Sequence, residues 1–146
     1  MEDIQSIMAI NQAFYRAFET LEIKEMEKVW LRASHIKCVH PGWPLLCGWG
    51  PVMTSWERIF DNTFSMRFTL TDVRVEVAGS LAWVVLIENL ESQGYDGPSR
   101  SQVLTTNLFE KKMDNGSSCI IMLHRSLHHL HRAKISCSKS LSLFLT

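Results

Sequence analysis

The chain has 146 residues, of which 46% are hydrophobic, and its 15 Lys and Arg balance 15 Asp and Glu. That length supports one domain with a real core, and zero formal charge excludes a global field that would gather nucleic acid or an anionic membrane. The longest strongly apolar run, Leu81 to Ile87, is too short to span a bilayer, so no membrane partner is expected.

Met1-Glu2-Asp3 is acidic and does not open a signal peptide. The four Cys (Cys38, Cys47, Cys119, Cys137) lack C-x-x-C spacing, so free thiols in a reducing compartment, cytoplasmic or nuclear, are expected. Ile4 to Leu21 predicts a helix. Ile4, Ile7, Met8, Asn11, Phe14, Tyr15, Phe18 and Leu21 recur at three and four residues and form its inner face. Ile23 to Leu31 predicts a second helix with Met26, Val29 and Trp30 on one side. Ser34 to Val39 is a short strand that ends at His40-Pro41. A Gly-, Pro- and Trp-rich loop carries Trp43 and Trp49. Gly50 to Asn62 predicts a third helix, with Pro51 in the first turn and Val52, Met53, Trp56, Ile59 and Phe60 inward.

Beyond that point the period becomes two. Phe68 to Val77 is a long strand whose alternation slips near Asp72, which predicts a bulge. Ala78-Gly79-Ser80 turns into a second long strand, Leu81 to Ser92, apolar through its middle. Gly94 to Pro98 is a loop, Arg100 to Lys112 a third long strand, and Asp114 to Ser117 a tight turn. Cys119 to Leu123 is a fourth. Helices first and a strand meander second predict an α+β fold, with helices on one face of an antiparallel sheet. The domain is expected over residues 1–126. A divergent, basic, Ser/Leu-rich tail is expected over 127–146; acids predominate up to Glu110, and Lys and Arg from Lys111 onward.

Several residues could carry chemistry. His40 places an imidazole at an aromatic corner, where it could line a pocket or move protons near neutral pH. Tyr15 lies on the inner face of the first helix, either as core or as a hydrogen-bond donor. Alternation puts Glu88 and Asn89 on opposite faces. Glu88 is preferred as the inward one, where an apolar setting would raise its pKa. Trp43 and Trp49 are candidate ligand walls, as are Trp56, Phe18 and Asn107, although Trp56 and Trp83 also read as core. His124, His128 and His131 would share a helical face, yet no Cys or carboxylate nearby completes a site, so no metal is expected. The basic tail has no interleaved aromatics for base stacking, so a nucleic-acid partner is not expected. Neither a P-loop, a dinucleotide Gly motif, Gly-x-Ser-x-Gly nor His-Glu-x-x-His is present, and no cofactor is expected.

The residues Phe14-Tyr15-Arg16-Ala17-Phe18, Cys38-Val39-His40-Pro41-Gly42-Trp43, Gly48-Trp49, Ser55-Trp56-Glu57-Arg58-Ile59-Phe60, Asp72-Val73-Arg74-Val75, Ala82-Trp83-Val84 and Thr105-Thr106-Asn107-Leu108-Phe109-Glu110 resemble a SnoaL-like protein. These proteins sit in the nuclear transport factor 2-like superfamily beside ketosteroid isomerases and polyketide cyclases. The likeness runs from Ile4 to Leu123, and the His-Pro-Gly-Trp corner resembles one subgroup of unknown function. The resemblance implies a cystatin-like cone, in which a curved antiparallel sheet wraps three helices around a cavity. It also implies a homodimer through the outer sheet face. In related isomerases the strand end at His40 carries a general base, and a Tyr near Tyr15 donates to an oxyanion. The subgroup's last strand carries Gly-x-Trp and a His-His-x-Ser-like end. Asn115-Gly116-Ser117-Ser118-Cys119 lacks the Trp and His124-Arg125-Ser126 is a partial echo, so the sequence departs from the pattern from Lys112 onward.

Three functions fit these residues. One is a binding protein for a small apolar or aromatic molecule. Another is a cofactor-independent isomerase, cyclase or hydrolase, with His40 as base and Tyr15 or Glu88 holding charge. The third is a dimeric interaction module.

Overall fold

The structure, a computed structural model, describes the backbone of residues 2–114 and 117–129 and the side chains of residues 4–111. Helices α1 (Glu2–Thr20), α2 (Ile23–Val29) and α3 (Trp49–Asp61) alternate at the start with two short strands, β1 (Lys37–Val39) and β2 (Leu46–Cys47). Four long strands follow: β3 (Thr63–Ala78), β4 (Leu81–Gly94), β5 (Gly97–Asp114) and β6 (Ser117–His129). The sheet order is β2-β1-β6-β5-β4-β3. Every neighbouring pair is antiparallel except β1 and β6, which run parallel with Cys38 opposite His124. The α+β arrangement follows the element order, while β2 forms inside the segment expected to be loop.

The core lies between the helices and one sheet face. Phe14, Phe18 and Trp56 pack edge to face, and Trp30, Phe60 and Phe68 close around them. Such pairs hold rings in set orientations beyond simple area burial. The inner stripe of α1 is narrower than its sequence predicts. Ile7 and Asn11 are buried at its start, but Ile4 is 43% and Met8 50% exposed. The stripe widens to Phe14, Tyr15, Ala17 and Phe18 where α3 and β3 close on the helix.

On β4 and β5, alternation sorts the two faces. Ala82, Val84, Leu86 and Glu88 face inward, as do Val103, Thr105, Asn107 and Phe109. Trp83, Val85 and Ile87, with Leu104 and Leu108, are half-buried on the opposite face. Trp83 is therefore not a core residue: it lies one position out of phase with the buried set. The bulge expected near Asp72 is present, as a register shift between Thr71 and Arg74 with Asp72 at φ +51°.

β6 runs longer than the expected Cys119 to Leu123. It pairs with β5 and β1 despite the departure of its sequence from the family pattern. Because β6 is extended, the helical spacing that would align His124 with His128 does not arise. The turn at Asn115-Gly116, His131 and the tail from 130 onward lie outside the described residues.

Candidate functional site

Asn11 and Tyr15 sit four residues apart on α1, so their side chains leave the helix on one face. Opposite them, Glu88 and Asn107 occupy inward positions of β4 and β5. The four side chains meet. The Tyr15 hydroxyl donates to Glu88 Oε1 at 2.6 Å. Asn107 Nδ2 donates to the Tyr15 oxygen at 3.1 Å and to Asn11 Oδ1 at 2.8 Å. Asn11, Tyr15, Glu88 and Asn107 are each no more than 4% exposed. Buried polar groups need partners, and here the bonds form a directed chain that ends on the carboxyl.

Burial pushes the Glu88 carboxyl up to about 7, against the opposing pull of the Tyr15 hydrogen bond and of the nearby Thr105 hydroxyl. The Thr105 hydroxyl lies close enough to act on that charge but makes no hydrogen bond of ordinary geometry. Burial, and then the charge of Glu88, hold the Tyr15 phenol well above its ordinary range.

His40 stands apart from this group. It ends β1, where the Trp43 N–H returns to the His40 carbonyl at 2.9 Å and closes the Pro41-Gly42 corner. The Ser55 hydroxyl donates to the Val52 carbonyl at 2.6 Å, so it accepts from His40 Nε2 at 2.8 Å. That bond assigns the Nε2–H tautomer. Trp43 and Trp56 meet the imidazole edge to face at 5.2 and 4.6 Å, and the Cys38 sulfur lies 3.6 Å from Nε2. Burial lowers the imidazole to about 4, so it is neutral at pH 7. The same burial raises the Cys38 thiol far above its ordinary range, which leaves it inert.

The structure thus brings Tyr15, Glu88 and Asn107 together and leaves His40 outside their bonds. Phe18 and Trp56 lie deep in the aromatic core. Trp43 and Trp49 are half-buried, each with a guanidinium over its ring: Arg58 at 5.2 Å and Arg32 at 4.6 Å. Trp49 opens α3 rather than sitting in the loop. Asn11 and Ser55 were not expected as site residues. Their signal is a polar side chain on an apolar stripe: Asn11 follows Ile7 by four positions, and Ser55 follows Val52 by three. Among the described residues, no three His, Cys, Asp or Glu side chains gather as a metal site.

The sequence matches the SnoaL-like domain family over residues 7–116. It is similar to the F-box protein SKIP8 of Arabidopsis thaliana, with 28% identity over 84% of this chain and 50% of that protein. The chain therefore spans about half the length of that relative. Its fold is similar to a provisionally assigned dehydratase of the nuclear transport factor 2-like family from Streptomyces avermitilis. That likeness has a TM-score of 0.77 and 33% identity, and covers 86% of this chain and 94% of the other. It is also similar to a protein from Thiobacillus denitrificans provisionally assigned as a calcium/calmodulin-dependent protein kinase type II association domain. There the TM-score is 0.69 at 26% identity, over 82% of this chain and 91% of the other. With the family pattern spanning most of the sequence and the helices and sheet in the matching arrangement, the chain belongs to the SnoaL-like domain family of the nuclear transport factor 2-like superfamily.

Proposed function

We propose that this domain binds a small, mainly apolar ring molecule in the interior of the fold. Tyr15, Glu88 and Asn107 meet the molecule's polar group. The observation that carries the reading is the buried Tyr15–Glu88 pair at 2.6 Å, set on the inner face beside the Phe68 ring. Small-molecule sites are built in this manner, mostly apolar with few converging polar groups. In a thermal-shift screen against one- and two-ring compounds, a subset is expected to raise the unfolding temperature. Glu88→Leu should weaken those ligands about tenfold, the worth of one hydrogen bond to a polar group in such a site. A cooperative transition that no compound moves would overturn the reading.

The alternative of an isomerase, cyclase or hydrolase with His40 as base has weaker support. Its Nε2–H is committed to Ser55, and Trp43 and Trp56 cover the ring. We assign His40 a positioning role, tying the end of β1 to α3.

A second reading has its own observation. The half-buried row Trp83, Val85, Ile87, Leu104 and Leu108 gives the outer sheet face an apolar centre. The neighbour assigned as an association domain supports self-assembly, and the apolar outer face is the surface we assign to it. We propose a homodimer here, which does not compete with a ligand held on the inner face.

A further inference from the structure

β3 ends the sheet on one side, and its free edge changes character along its length. The first half is guarded. Phe68 turns its ring inward onto Tyr15 and Phe18, and Glu19 Oε2 accepts its N–H at 3.1 Å on the side away from β4. A charged side chain on an exposed edge guards it against strand addition. The bulge between Thr71 and Arg74 ends that half.

Beyond the bulge, no side chain among the described residues hydrogen-bonds the backbone of Val73 to Val77. β4 runs beside β5 without a break, so its backbone alternation carries past the bulge. Leu90 stands opposite Phe68, while Val84 and Ala82, an even number of residues away on β4, stand opposite Val75 and Val77. Val75 and Val77 therefore turn their N–H and C=O groups to the free edge, as Phe68 does. Val75 packs against the core, but Val73 and Val77 are 39% and 40% exposed. Arg74 and Glu76 project from the other face, opposite Val85 and Trp83. Both are exposed, and neither has an ion pair among the described residues.

Turned end for end about Val75, the segment Val73-Arg74-Val75-Glu76-Val77 complements itself. An antiparallel copy centred there sets Val75 against Val75, Val73 against Val77, and Arg74 against Glu76 on both sides. Valines then meet on the inner face, ion pairs form on the outer face, and the open backbone groups of Val75 find partners. A slip of two residues sets Arg74 against Arg74 or Glu76 against Glu76, so charge fixes the register. We propose that the β3 edge over Val73 to Val77 pairs antiparallel with the same edge of a second copy, joining two sheets side by side through a contact distinct from the outer-face dimer. Five residues of one edge cover far less than the roughly 1,200 Å² at which standard interfaces begin, so the contact is weak and forms at high protein concentration. Dilute solution leaves only the face contact.

The test exchanges the two charges. Sedimentation from micromolar to millimolar concentration should show the unaltered protein gaining mass. Over the same range, hydrogen exchange at the Val75 amide should slow several-fold, while exchange at Phe68, already bonded to Glu19, stays constant. Arg74→Glu alone and Glu76→Arg alone should each weaken the association roughly tenfold or more, since each turns both ion pairs into like-charge pairs. An equal mixture of the two variants, or one chain carrying both exchanges, should restore it. Both positions are exposed, so unfolding midpoints and the mass in dilute solution should match the unaltered protein. Association that neither single exchange weakens, a mixture that fails to restore it, or no gain of mass at any concentration would overturn the inference. So would a single exchange that already lowers the mass in dilute solution, since that result places Arg74 and Glu76 in the face contact instead.

Discussion

At the residue scale, two buried groups pull the stability of the fold in opposite directions with pH. Glu88 has its carboxyl raised from 4.5 to about 7. Its contribution is full below about 4.5 and is lost as pH rises through about 7, because the unfolded chain releases its proton first. His40 is lowered from 6.5 to about 4, so its contribution is full above 6.5 and is lost as pH falls toward about 4. Each effect is on the order of 3 kcal/mol. Between about 4.5 and 6.5 the two slopes oppose each other, and the intact protein should show nearly constant stability in urea unfolding. Glu88→Gln should unmask a rise with pH over that window, and His40→Asn a fall. Identical profiles for all three proteins would refute the assignment of both groups. The sequence already exposes part of this. Alternation puts Glu88 on the face opposite Asn89, and the stripe of α1 places Tyr15 inward. The tautomer of His40 is not readable there, because it depends on Ser55, fifteen positions away and reached only when β1 packs on α3.

At the element scale, the corner between β1 and α3 depends on one glycine. Gly48 caps α3 at φ +87° and ψ +163°, its N–H donates to the Ile36 carbonyl at 2.9 Å, and its carbonyl accepts from Val52 at 3.2 Å. That backbone region is closed to side chains, so Gly48→Ala should cost about 1–3 kcal/mol. Gly50, two residues on, is helical with open space around a would-be Cβ, so Gly50→Ala should be neutral or stabilise by up to about 1 kcal/mol. Urea midpoints for the two variants check the contrast; equal losses would contradict it. His40→Ala should cost about 3 kcal/mol, since it removes a buried hydrogen bond and leaves a cavity between Trp43 and Trp56. The long strands were legible because their two-residue period is strong, including the slip at Asp72. β2 was not, because Leu46 and Cys47 form a strand only by pairing with Cys38 and Lys37.

At the scale of the whole molecule, the two faces of the sheet present different side chains. The inner face carries the Tyr15–Glu88–Asn107 group, and the outer face carries Trp83, Val85 and Ile87. Trp83→Glu should convert a dimer to a monomer in sedimentation or light scattering while leaving ligand affinity unchanged, since Trp83 lies opposite the inward set. A monomeric unaltered protein would contradict the dimer. The sequence hid this division by its composition: Leu81 to Ile87 is apolar on both faces, so periodicity alone does not separate Trp83 from the core. No helix among the described residues is long and apolar enough to cross a membrane. In the proposed function, ligands enter the interior at Tyr15, Glu88 and Asn107. Nuclear magnetic resonance tests this by titrating a ring compound that raises the unfolding temperature into isotope-labelled protein and following side-chain signals. The Asn107 amide, the Glu88 carboxyl and the Tyr15 ring are expected to shift together and to saturate with one affinity. Shifts confined to Trp43, Trp49 or the outer-face row, with those three signals unmoved, would contradict it.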